Sequence, residues 1–114
     1  MTRFLPLALT FALAIPLAAK AETVVTPISD AARGTMVTVQ GTVEQITDED
    51  QFRLTDASGS IVIYVGPNWV PADVGEAVTV NGFVDDNLIG PREIYARELT
   101  RADGSVVTFD QTYE

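Results

Sequence analysis

Residues 34–44 and 75–85 carry one pattern twice, GTMVTVQGTVE and GEAVTVNGFVD, at an offset of 41 positions. In each copy valines alternate with polar residues, and a glycine stands in the apolar phase. The first copy places Val37, Val39, Gly41 and Val43 on one face, and the second places Val78, Val80, Gly82 and Val84 there. A period of two is the signature of a strand with one face buried. Glycine inside a strand packs nothing and costs backbone entropy, so its appearance at matching positions points to a geometric need. A sheet rolled into a narrow barrel has such needs: sharp bending, and close approach of one backbone to another.

The strand signals around these copies complete an all-β reading. A first strand is expected over 36–46, long enough to curve and to pair on both sides. Polar Thr47-Asp48-Glu49-Asp50 turns the chain into a second strand over 51–55, with Phe52 and Leu54 on the core face. Asp56-Ala57-Ser58-Gly59 forms a hairpin connection to a third strand over 60–65. There Ile61, Ile63 and Val65 alternate with Val62 and Tyr64, so a strand covered on both sides is expected. Pro67 and Pro71 break the next segment, which reads as a short loop or one helical turn. Its Trp69, Val70 and Val74 are expected to plug an open barrel end. The fourth strand covers 77–84, the turn-rich stretch Asp85 to Pro91 follows, and the fifth strand covers 92–99. In that fifth strand Ile94 and Ala96 alternate with Tyr95, Arg97 and Leu99. A short sixth strand over 105–109 extends the sheet, and a short helical piece is expected around Ser29–Ala32. Three strands, a connector, then two more is the order of a five- or six-stranded antiparallel OB-fold barrel. An open meander or an SH3-like barrel would share the same alternation.

The first 21 residues read as an export signal rather than as part of the fold. A basic MTR start precedes the apolar run Phe4–Ala19, and Ala19-Lys20-Ala21 offers a small-x-small cleavage site after Ala21. The run is short for a membrane span and contains Pro6 and Pro16; a retained anchor is the competing reading. No lipid can be attached through cysteine, because the chain has none. The expected organisation is a signal peptide over 1–21 and one domain over 22–114, with the barrel at about 34–109. The expected location is the periplasm, without membrane insertion after cleavage.

Charge and composition narrow the chemistry. The 114 residues carry 7 basic and 16 acidic side chains, for a net charge of −9. Loss of Arg3 and Lys20 with the signal would bring the balance to about −11. A field of that sign repels phosphate backbones and favours cations, basic peptides and basic protein partners. With no histidine or cysteine, thiol and imidazole catalysis and the usual zinc or copper sites are ruled out. Ser58, Ser60 and Ser105 stand beside turn glycines and read as turn residues. No catalytic residue, metal site or cofactor is expected.

Two acidic clusters, Asp48-Glu49-Asp50 and Asp85-Asp86, are either solvated turns or binding sites for cations or cationic peptides. No calcium-loop spacing is present. Among the aromatics, Tyr64 and Tyr95 are the surface candidates, Phe52 belongs with the core, and Trp69 is a barrel plug or an anchor. The candidate ligand-binding set is therefore Tyr64, Trp69, Tyr95, Asp48, Glu49, Asp50, Asp85 and Asp86. An alternative role is a protein-interaction module that docks on an envelope partner through the exposed aromatics or a sheet edge.

The mature region also resembles the bacterial OB-fold family, the YgiW/YdeI-like stress-tolerance proteins. The resemblance is carried by VVTPISDA at 24–31, GTMVTVQGTVEQI at 34–46, DQFRLTDASGSIVIYV at 50–65, GPNWVPADVGEAVTVNGFVDD at 66–86 and REIYARELT at 92–100. It covers nearly all of 24–100. It implies an exported barrel of the kind inferred above, generally periplasmic, associated with tolerance of cationic antimicrobial compounds and peroxide. No catalytic residues are assigned to the family, so none carries over. The acid–aromatic–Asp hairpin is matched at 50–56, the turn glycine at Gly59 and the following aromatic at Trp69. The last strand departs from the Ile-Asp-Val-like family pattern with Ile94-Tyr95-Ala96-Arg97.

Overall fold

The computed structural model describes residues 24–67 and 69–109. The expected signal peptide and its cleavage point lie outside the described residues. Six strands follow a 3-10 turn at Ile28–Asp30: β1 Met36–Asp48, β2 Gln51–Asp56, β3 Gly59–Tyr64, β4 Ala77–Val84, β5 Glu93–Thr100 and β6 Val106–Thr108. They run side by side in the order β3-β2-β1-β4-β5-β6, and β3 also pairs with β5. That extra pairing closes β1 to β5 into a small OB-fold-like barrel and leaves β6 as an added strip on β5. The barrel is not wholly antiparallel as expected: its closing pair, β3 with β5, is parallel.

β1 holds the barrel together by serving two neighbours in turn. Its first half, Met36 to Thr42, pairs with β4, and from Thr42 onward it pairs with β2. Gly41 lies at this changeover. A Cβ placed on Gly41 would overlap the Thr55 carbonyl oxygen and lie 2.9 Å from its carbonyl carbon. A Cβ on Gly82 would overlap the Tyr95 carbonyl oxygen and lie 2.7 Å from Ile94 Cγ2. The repeated glycines are therefore places where a neighbouring strand passes too close for any side chain.

The alternation of the sequence becomes the inside and outside of the cylinder. Val37, Val39 and Val43 of β1 face inward with Phe52 and Leu54 of β2, and Ile61 and Ile63 of β3 join them. Val78, Val80 and Val84 of β4 and Ile94 and Ala96 of β5 complete the lining. β3 has a strand on each side, as its apolar pattern implied, although Val62 and Tyr64 point outward and stay half-buried.

Leu99 departs from the expected phase. The sequence alternation puts it on the outer face with Tyr95 and Arg97, yet it is fully buried. The β4–β5 register slips between Asn81 and Gly82, so that Gly82 faces Ala96 while Asn81 faces Glu98. The extra residue, Arg97, makes a β-bulge, and a bulge inverts the alternation beyond it.

Of the three residues expected to plug the barrel end, one does so. Trp69 is 76% exposed and Val74 61% exposed, so neither plugs the barrel. Val70 packs against the core as expected, and Ala72 is buried beside it in the same loop. The 66–76 connector is a loop with no helical turn among its described residues. Ile28 of the 3-10 turn is fully buried as well. That turn forms one residue earlier than expected, because Asp56 Oδ2 accepts the Ile28 N–H at 3.0 Å and Arg92 donates to the Ile28 carbonyl at 3.1 Å.

Candidate functional site

Pairing across the barrel assembles an outer surface from residues distant in the chain. Met36 faces Phe83, Phe83 faces Tyr95, Tyr95 faces Tyr64, and Tyr64 faces Gln51. All stand at one level on the outside of β1, β4, β5, β3 and β2. Met36 is 48% exposed and the other four are half-buried. The Tyr64 and Tyr95 rings meet edge to face, with centroids 6.0 Å apart and planes at 75°. This geometry sets the positive edge of one ring against the negative face of the other.

Two residues further along the strands runs a parallel lane. Arg53 faces Val62, and Val62 faces Glu93. Asp85 adjoins Glu93, to whose carbonyl it donates its N–H at 2.9 Å. The Asp85 carboxylate is oriented by the Asn87 N–H, which donates to Oδ1 at 2.8 Å. Glu93 is half-buried, and its carboxyl is pushed above the ordinary range by burial first and then by the charges of Asp85 and Asp50. The Tyr95 phenol is also raised, by burial and then by Asp85, Glu93 and Asp86. Burial is the largest cause of both shifts, and neighbouring negative charge adds to each.

The structure thus brings Tyr64, Asp85 and Asp86 within electrostatic reach of Tyr95, and Asp50 and Asp85 within reach of Glu93. Glu93, which sequence reasoning missed, stands among them. Trp69 belongs to a neighbouring shallow pocket with Glu49, Asp50 and Pro67. Glu49 and Asp50 also tie that loop to the β1–β2 turn: their carbonyls accept the N–H groups of Val70 and Val65, at 3.1 and 2.9 Å. Asp48 serves the turn itself, since its Oδ1 accepts the Glu49 N–H at 2.8 Å. Among the described residues no three carboxylates come together in a way that could hold a metal ion.

The serines behave as turn residues where the structure pairs them. Ser58 and Ser105 hydroxyls lie 2.6 and 2.7 Å from the Oδ1 atoms of Asp56 and Asp103. Further along the outer face of β1 and β4, four residues from Met36 and Phe83, a broad groove runs over Gln40, Thr42, Thr79 and Thr100 to Arg101. Arg101 is committed there to Glu76, with Nη2–Oε1 at 2.8 Å and Nε–Oε2 at 3.0 Å. This bidentate ion pair holds the Glu76 pKa down to about 2.

A closed five-stranded barrel with a loop between β3 and β4 is an OB-fold-like protein. The profile of the bacterial OB fold (BOF) proteins matches residues 16–101, and the chain belongs to that family. Among solved structures it is similar to the hypothetical protein YgiW from E. coli, at 25% sequence identity and a TM-score of 0.58. The match covers 68% of this chain and 89% of that one. No curated protein matches the chain.

Proposed function

We propose that this is a periplasmic binding protein whose Tyr64–Tyr95 face receives cationic groups, and that this binding contributes to envelope stress tolerance. In this reading the signal peptide is removed after Ala21 and residues 22–114 act as one domain. The observation that carries the proposal is the edge-to-face tyrosine pair set beside Glu93, Asp85 and Asp50. Aromatic faces attract cations through their quadrupoles, by about 0.5–1 kcal/mol at exposed sites. Adjacent carboxylates add attraction that salt weakens. Organic cations and cationic peptides suit such a face better than a bare divalent ion, which wants several oxygens converging on one point.

Calorimetry with arginine amide, spermidine, a basic peptide and calcium tests the proposal. Heat is expected with the organic cations, weakening in high salt and in Tyr95→Ala. No heat and no change in melting temperature with any of them would defeat it. A second reading, docking on an envelope protein, is supported by the exposure of Trp69 on its loop. A Trp69→Ala variant that binds cations normally but loses an envelope partner would favour that reading.

A further inference from the structure

We propose that the outer row from Met36 to Tyr64 is a docking face for an extended peptide bearing both basic and apolar side chains. The inference rests on the cation-binding reading of the same face and names its occupant. A single ammonium or guanidinium group covers one ring. The row is larger: Met36, Phe83, Tyr95 and Tyr64 stand on four adjacent strands at one register level. Three inter-strand steps of about 4.8 Å span roughly 14 Å, the reach of about four residues of extended chain.

The two lanes differ in character and lie side by side. The Met36–Tyr64 lane is apolar and aromatic. In the next lane, acids stand at the positions neighbouring Tyr95 and Phe83, namely Glu93 and Asp85. A chain lying along the row could set apolar groups on Met36 and Phe83 while its basic groups reach the carboxylates. Arg53 marks the β2 end of the acidic lane, so positive side chains are favoured toward the β4–β5 end.

Charge complementarity selects among the possible occupants. With 16 acidic residues against 7 basic ones, a second copy of this chain would bring like charge to like charge. An anionic lipid surface or a nucleic acid would be repelled for the same reason. A basic chain meets the field of the whole molecule as well as the local carboxylates.

The test compares two probes on the full protein at low salt: arginine amide, and a capped six-residue peptide alternating arginine with leucine. The peptide is expected to bind at least about tenfold more tightly, because its second and third contacts form intramolecularly. Met36→Ser, at an exposed position, should weaken the peptide about threefold and leave arginine amide unchanged, as expected for one lost apolar contact. Phe83→Leu, checked for folding by its melting curve, should act in the same direction. Equal affinity for both probes, or peptide binding indifferent to Met36 and Phe83, would overturn the extended-chain inference and leave the cation reading standing. Failure of both probes to bind would remove the cation reading itself. Sedimentation showing a dimer that Met36→Ser abolishes would assign the row to a second copy and overturn the proposal.

Discussion

Gly41 lies so close to the backbone of Thr55 that no Cβ fits between them. Gly82 stands in the same relation to Tyr95, across the β4–β5 seam. These two contacts explain why the repeated strands carry glycine in a phase otherwise filled by valine. An ordinary strand glycine replaced by alanine gains about 0.5–1 kcal/mol through reduced backbone freedom. Here the sign reverses: Gly41→Ala and Gly82→Ala are each expected to destabilise by about 1–3 kcal/mol or more through overpacking. Urea unfolding of the two variants measures this, and stabilisation by either would contradict the close-approach account.

The barrel ends give a contrast between two large apolar residues. Ile28 is fully buried, whereas Trp69 is 76% exposed. Ile28→Ala is expected to cost about 2–5 kcal/mol by emptying its seat. Trp69→Ala should change stability by less than about 0.5 kcal/mol, as for most surface positions. Thermal or chemical denaturation of the pair would separate them, and a large loss in Trp69→Ala would restore it as a plug.

Much of the barrel was legible because a half-buried strand writes its burial into every second residue. Phe52, Leu54, Ile61 and Ile63 face inward as their spacing requires. The burial of Leu99 is not legible in the sequence because the bulge at Arg97 leaves no local mark; it arises where β5 passes close to Gly82. The sequence left Trp69 open between plug and anchor because size and apolarity do not say whether a loop folds over the barrel mouth or away from it; its exposure removes the plug. The site was legible only in fragments. Tyr64 and Tyr95 could be picked out as outward-facing, but their contact depends on the parallel β3–β5 closure, which is non-local. Glu93 looks like an ordinary solvent-facing strand residue until that closure and the β4–β5 loop bring Asp50 and Asp85 near it.

Two glutamates should shape the pH profile in opposite ways. Glu76, held by Arg101, has its pKa lowered from 4.5 to about 2. A carboxyl depressed in the folded state contributes stability above its unfolded value and loses it as pH falls through the folded one. Glu76→Gln should therefore lower the melting temperature at pH 7 and approach the parent protein near pH 2. Glu93, raised by burial and by Asp85 and Asp50, has the reverse sign. The folded state keeps that proton longer, so stability is gained as pH falls through the folded pKa and is fully gained below about 4.5. Glu93→Gln should raise the melting temperature at pH 7, by less than about 1 kcal/mol in stability, and lose that advantage near pH 4. Melting curves across this range test both signs.

The most direct test of the cation-binding face is an amide chemical-shift titration with the alternating arginine–leucine peptide at low salt. The account predicts that the perturbed amides cluster at Tyr64, Phe83, Asp85, Glu93 and Tyr95, and that Glu93→Gln reduces the response. Perturbation centred on the groove of Thr42, Thr79 and Arg101, or no perturbation at all, would contradict it.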